Sequence, residues 1–344
     1  MNNIAVLSIT SEKWTDIIRD HPGSNIFHTT EWAAAIKRAY GIGTFVAAIL
    51  NQGSIACAAP FSISHNPLSG PKIISLPYTD FCAPLLIDGE EEKIESLTRL
   101  FEQIARSLNI GRIELRWEYT GSAQFVRRID FLRHYLTLTR EPEDVYRIFH
   151  RTQKQNIRVA IKNGVNVFRS TDMLSVREFY HLHCLTRKRL GLPVQPWNFF
   201  RALHNELLLK DKGFIMLAKK DGISLAGGLF LLGGKTITYK YAASNNFGQE
   251  LRPNHLIIWT AVQWACTHGF TMLDFGRCDL DNIGLRAFKC RWGAKEVPLE
   301  YTFWGKIPKP PVSGRIDSLA KAVLRRSPLA LSRLAGELLY PYIG

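Results

Sequence analysis

The stretch 271–304 constrains the fold more than any other part of the chain. It reads as a short strand (Thr271-Met272-Leu273-Asp274-Phe275), then Gly276-Arg277 and a polar loop. A helix-like run follows, ending in Phe288-Lys289-Cys290-Arg291-Trp292-Gly293, and a closing strand covers 297–304. An apolar strand that stops at a carboxylate and a glycine places polar groups at the end of a sheet. Phe288-Lys289 sets an aromatic ring beside a cation, close to glycine-permitted backbone. A lysine in that setting can hold an anion or an oxyanion, and desolvation changes its pKa. The same spacing also describes an ordinary strand–loop–helix of core residues with one solvated lysine.

A chain of 344 residues, 46% of them hydrophobic, can bury two cores, so two domains are expected. The net charge of +14 favours anionic partners: RNA, nucleotide-linked substrates or an acidic membrane surface. The six cysteines lie far apart, with no Cys-x-x-Cys pair and no His/Cys cluster at zinc spacing. Reduced thiols are therefore expected, with no metal. Residues 1–14 show no basic start followed by a long apolar run, and the run 223–234 is too short and glycine-rich to span a bilayer. The expectation is a cytoplasmic protein, with the inner membrane surface as a place it visits.

Along the chain, Thr29-Thr30-Glu31-Trp32 is an N-cap signal that opens a helix to Tyr40-Gly41. Strands are expected at 44–50 and 54–62, joined by the turn Asn51-Gln52-Gly53, and at 73–76. An amphipathic helix at 90–108 and strands at 112–117 and 134–139 complete a first α/β unit. Pro142 opens what reads as one long helix, 143–163, ended by Gly164. Its Arg147, Arg151, Lys154, Arg158 and Lys162 recur at three- and four-residue steps, which at roughly 100° per residue is one narrow face. Like charges one turn apart repel unless an anion sits between them, so this face is either a solvated surface or an anion contact. The second unit runs strand 165–169, helices 173–190 and 197–209, and strands 214–219, 224–232 and 235–243. A helix at 254–268 and the opening stretch close it. Both units read as α/β around a mixed sheet. The division expected is 1–145, 146–306, and a Pro-rich linker with an amphipathic helical tail, 307–344. Ser327-Pro328 breaks that tail into two short helices, expected to pack on the first domain and to add weak affinity for anionic membranes, a membrane-surface helix being the alternative.

The second unit resembles the Fem-type aminoacyltransferases, which are built from two tandem domains of the GNAT acyltransferase fold. The similarity rests on Ala226-Gly227-Gly228, Tyr239-x-Tyr241-Ala242-Ala243-Ser244, Leu251-x-Pro253-Asn254, Leu273-Asp274-Phe275-Gly276 and Gly284-Leu285-x-x-Phe288-Lys289-x-x-Trp292-Gly293. Gln155-Asn156-Ile157-Arg158 in the basic helix and Phe27-His28-x-x-x-Trp32 with Lys37 are similar as well. Ser75-Leu76-Pro77-x-x-Asp80 and the tail 327–336 look like the branch associated with exopolysaccharide and exosortase gene clusters.

The resemblance implies a fold of two tandem GNAT-like domains and transfer of an aminoacyl group from charged tRNA to an amine on a cell-envelope precursor. That acceptor is a UDP- or lipid-linked peptidoglycan stem peptide or an exopolysaccharide amino sugar. Phe288-Lys289 matches the pair at the donor's acyl ester. Lys37, beside Trp32, and Arg189 match the residues that hold the acceptor's phosphates. The acetyl-CoA loop of ordinary GNAT enzymes is absent, Gln249-Glu250-Leu251-Arg252-Pro253 standing in its nearest place. A donor built on CoA or a carrier protein is the enzymatic alternative, and a nucleic-acid or membrane-surface binding protein the other.

For the chemistry, Lys289 and backbone N–H groups near Gly276 or Gly293 are the candidates to stabilise the oxyanion of acyl transfer. Asp274 either positions the nucleophile and accepts its proton, or caps the loop. Tyr239 and Tyr241, two apart on a strand, are candidate linings of the acyl pocket, and Arg151 and Arg158 candidate phosphate contacts. No bound cofactor is expected.

Overall fold

The computed structural model describes residues 3–67, 69–87, 92–118, 124–308 and 315–343. They form two compact units. One comprises Met1–Leu132, Pro298–Pro311 and Pro341–Gly344; the other comprises Arg133–Val297 and Val312–Tyr340. Two of the crossings fall inside strands, at 132/133 and 297/298, where no shift in composition marks them. Of the expected linker, Lys309, Pro310 and Pro311 lie outside the described residues.

In the first unit the elements are β1 (Asn3–Ser8), α1 (Glu12–Asp20), α2 (Thr30–Tyr40), β2 (Thr44–Asn51), β3 (Ser54–Asn66), β4 (Gly70–Ile74), β5 (Leu85–Leu86), α3 (Glu92–Ser107) and β6 (Arg112–Leu115). β1 to β4 are antiparallel neighbours, β6 runs parallel to β4, and β5 pairs with β3. β1 and α1 add to the elements expected from the sequence. The expected hairpin turn is present, with Gln52 and Gly53 both at positive φ between the paired Asn51 and Ser54, as a two-residue turn requires. Thr29 caps α2 by accepting from the Trp32 N–H. Leu97, Leu100 and Phe101 of α3 bury against Ala47, Ala59 and Ile113 of the sheet.

A buried ion network fixes the loop after β4. Burial alone would raise the Glu114 carboxyl, but Arg116 and Lys72 beside it hold it at about 2. Arg116 also donates to the Thr79 carbonyl, and its own N–H is taken by Ser75 Oγ. The Ser75-to-Asp80 motif is thus the turn around this network.

The chain continues through β7 (Phe125–Thr137), α4 (Pro142–Ile148), α5 (Arg151–Lys162), β8 (Asn166–Ser170), α6 (Met173–Leu190), α7 (Trp197–Glu206), β9 (Gly213–Lys220), β10 (Ile223–Gly233), β11 (Thr236–Ser244), α8 (Pro253–Thr267), β12 (Met272–Asp279), α9 (Ile283–Cys290), β13 (Lys295–Gly305), α10 (Arg315–Arg326) and α11 (Leu329–Ile343). In the second unit β8, β9, β10 and β11 pair antiparallel in turn. β11 and β12 are parallel and pair only at Thr236–Thr238 with Met272–Asp274. Beyond Thr238 both strands continue unpaired with each other, so the sheet opens at their C-terminal ends. The core under α8 holds Ile257, Trp259, Phe214, Phe230 and Trp292.

Two expectations are corrected here. The helix expected over 143–163 is two helices, α4 and α5. Phe149 leaves helical geometry (φ −65°, ψ 139°) because its ring is buried edge-on against Trp259 and Trp292. The His150 N–H bonds the Arg291 carbonyl, and the His150 side chain caps α5. The tail as far as Tyr340 also packs with the second unit, and only its last residues, from Pro341, group with the first. Gly336, without a side chain, lets α11 meet the backbone of Val194: a Cβ there would lie 1.6 Å from the Val194 oxygen. The Val194 N–H bonds the Ser332 carbonyl, and Arg187 donates to the Tyr340 hydroxyl.

Candidate active site

Where β11 and β12 diverge, a cleft of 490 Å³ opens in the second unit. Tyr239, Lys240, Ala242 and Ser244 of β11 form one wall. Phe275 and Arg277 of β12, with Leu285, Phe288 and Lys289 of α9, form the other. The start of α8 (Pro253, Asn254, His255) reaches in, with Arg252 at positive φ just before it.

Lys289 is 95% buried at this cleft; only 5% of its surface is exposed. Its Nζ donates to the carbonyl oxygens of Gly276 at 2.9 Å and Arg277 at 3.0 Å. Those carbonyls turn inward because Gly276 adopts φ +68°, a left-handed conformation that a side chain would strain. Asp274 holds the turn. Its Oδ1 accepts from the Gly276 N–H at 2.7 Å, and its Oδ2 accepts from Arg133 Nε and a terminal guanidinium nitrogen at 2.9 and 2.7 Å. A chain of bonds therefore runs from Arg133 through Asp274 and Gly276 to the ammonium of Lys289. Phe288 presents its ring edge-on to His255 at 5.6 Å.

Behind Lys289, His134 bonds Glu296 at 2.9 Å, and its Nδ1 lies 3.8 Å from Cys278 Sγ. Burial, then the charge of Lys289, lower the His134 pKa, with Glu296 acting against them. Bonds from Arg286, with a smaller contribution from His134, bring Glu296 down to about 2. Ligand atoms of His134, Cys290 and Glu296 lie within 4.8 Å of one another, close enough for a metal ion. Both oxygens of Glu296 already accept from Arg286, however, which opposes a second cation there.

The other expected site residues fall in different places. Tyr239 lines the cleft, stacked on Phe230 at 4.7 Å. Tyr241 does not share that face: the β10–β11 register slips by one at Leu229/Phe230, and Lys240 is the extra residue. Tyr241 packs instead among His183, Phe199 and Phe200. Arg189 borders the cleft, where its guanidinium donates to the carbonyl and hydroxyl of Ser244 and to Asn246 Oδ1. Burial lowers its pKa. Arg151 and Arg158 are exposed on α5. α5 packs on α8, and the Asn156 amide donates to His255 Nε2 at 3.1 Å, tying the basic helix to a residue of the cleft. In the first unit, Lys37 is exposed and lines a cavity of 650 Å³ with Thr10, Thr30 and Phe45. Trp32 is fully buried beneath it, edge-on to Phe27.

Sequence reasoning gave no role to Arg133, Asn254 or His255. Asn254 Oδ1 is a buried acceptor with no hydrogen-bond partner among the described residues, and its residue borders the cleft. Its only signal was its place in Leu251-x-Pro253-Asn254. Burial brings His255 down to about 4, so it is a neutral ring at physiological pH.

Comparison with known proteins accords with this geometry. The acetyltransferase (GNAT) domain family matches residues 147–289. The lipid II:glycine glycyltransferase of Staphylococcus aureus is 21% identical, the alignment covering 83% of this chain and 89% of that protein. The crystal structure of FemX superposes with a TM-score of 0.70 at 18% identity, over 87% of this chain and 96% of its own. A tandem GNAT protein from the clavulanic acid biosynthesis pathway superposes with a TM-score of 0.54 at 10% identity, over 90% and 100%. Each of the two units is thus GNAT-like. With the motifs in family order and their lysine seated in the cleft between the diverging strands, this chain is an acyltransferase of GNAT-like fold, similar along most of its length to the Fem-type enzymes.

Proposed function

We propose that this enzyme transfers an aminoacyl group from an activated ester, carried by tRNA, to an amine on a lipid-linked peptidoglycan precursor. The observation that carries this is the buried Lys289 ammonium, fixed by two carbonyls at the floor of a cleft open to solvent. The similarity along most of the chain to a lipid II:glycine glycyltransferase supports the acceptor class. The exposed cations of α5, tied to the cleft through Asn156 and His255, support an RNA-borne donor.

In this reading the neutral acceptor amine attacks the ester carbonyl, forming the C–N bond. The tetrahedral intermediate collapses by breaking the C–O bond, and the amine's proton leaves with the ribose oxygen as a hydroxyl. Lys289 lies where it stabilises the developing oxyanion, a charge absent from the ground state. Asp274, already holding the Gly276 N–H and Arg133, is a positioning residue that aims the carbonyls gripping Lys289. Asn254 Oδ1 accepts from the incoming amine. Phe288 and Tyr239 wall the acyl group, and Lys37 and Arg189 hold phosphates of the acceptor.

The test is a mass shift on candidate acceptors, incubated in parallel with charged tRNA, acetyl-CoA and acyl carrier protein. An exopolysaccharide amino sugar is included as the acceptor to which the tail motif points. Lys289→Met lowers kcat on the order of 10²–10³-fold with little change in KM. Lys289→Arg rescues poorly, because a planar fork does not fit between the two carbonyls. Lys37→Met acts mainly on acceptor KM. Near-normal kcat in Lys289→Met refutes the catalytic assignment.

A further inference from the structure

The last helix is packed inside out. A surface helix normally buries its leucines and exposes its polar side. In α11 the buried positions are Ser332, Gly336 and Tyr340, four residues apart, with Gly336 set against Val194. The leucines face outward: Leu331 is 52% exposed, Leu334 53%, Leu338 63% and Leu339 47%. Their spacing of three, four and one gathers them on a single side of the helix. Gly336 makes this arrangement obligatory, since no larger residue allows the helix backbone so near Val194. The chain thus presents a row of leucines to solvent from a helix anchored on its other side.

The charges nearby choose the occupant. α10 ends in Arg325 and Arg326, both exposed, and neither has a carboxylate partner among the described residues. A second copy of this chain would bring like charges together at the same face. An anionic lipid surface offers hydrocarbon to the leucines and counter-charge to the arginines. No helix among the described residues is long and apolar enough to cross a membrane, so the contact is interfacial.

We infer that the outward face of α11, with the arginines closing α10, seats the protein on a bilayer that carries anionic phospholipid headgroups. This does not depend on what the enzyme acylates, because the readout is vesicle binding and not catalysis. The full chain is floated with phosphatidylcholine vesicles, with and without phosphatidylglycerol, at low and high salt. It binds the phosphatidylglycerol vesicles, less at high salt, and inorganic phosphate does not displace it. R325Q/R326Q lowers binding on the order of ten-fold or more. L334Q/L338Q lowers it at every salt concentration while leaving the melting temperature unchanged, since both leucines face outward. In a chain with Leu334→Trp, the added fluorescence shifts to the blue on those vesicles. Wild-type binding in either double variant overturns the proposal, as does an unshifted Leu334→Trp spectrum. A wild-type dimer that L334Q/L338Q converts to monomer assigns the face to a second copy and overturns it as well.

Discussion

Asp274 and Lys289 are held in the site in different ways, and the difference is measurable. Asp274 has both oxygens engaged, one by backbone and one by Arg133, at a position only 7% exposed. Asp274→Asn keeps the shape but removes the charge facing the Arg133 guanidinium. Breaking a largely buried pair from one side costs roughly 3 kcal/mol, read as a lower denaturant midpoint at constant m value. Because the carboxylate aims the carbonyls around Lys289, kcat falls too, while the pH–rate profile keeps its shape. Loss of the acidic limb in Asp274→Asn would instead make Asp274 the general base. At this scale the sequence singled out Lys289, a lysine after an aromatic between two glycines, but left open whether it is buried or solvated; the structure shows it buried. The separation of Tyr239 from Tyr241 was not legible, because a bulge is a property of two paired strands and leaves no mark on one of them.

Among elements, α5 presents the surface that suits an anionic nucleic-acid partner. Arg151, Arg158 and Lys162 are exposed along it, while Arg147, on the separate helix α4, is paired with Asp144 at 2.8 Å. Lys154 bonds the Arg147 carbonyl and lies over the Tyr146 ring. The five-residue stripe therefore reduces to three outward cations. R151Q/R158Q weakens binding of charged tRNA and flattens its salt dependence by about two units in the log–log slope, one for each phosphate that no longer meets an arginine. An unchanged slope returns α5 to the status of a solvated face. The break before α5 was hidden in the sequence. Helical periodicity runs unbroken through Phe149, and only the Trp259–Trp292 site on other elements pulls that residue out.

For the whole molecule, histidines whose pKa burial lowers set the response to acid. Burial brings His28 and His255 to about 4 and His183 to about 3, against roughly 6.5 in an unfolded chain. Between those values the unfolded chain binds protons that the native chain refuses. Stability is therefore full above pH ~6.5 and falls as pH drops toward 4, by roughly 1.4 kcal/mol per pH unit for each histidine. Glu114 and Glu296, held at about 2, extend the loss below pH ~4.3. Melting temperature measured from pH 7.5 to 4 tracks this decline, and a flat curve contradicts it. By itself the sequence determined the kind of most elements, the α/β class of both units and the motif that seats Lys289. These depend on residues within a turn or a strand of one another, and side-chain periodicity records them directly. Only the tertiary structure decided that Arg133 meets Asp274 across 141 positions, that the leucines of α11 face out, and that β11 carries a bulge. Register, close backbone approach and the choice of hydrogen-bond partner are set between segments distant along the chain, where local pattern carries no information.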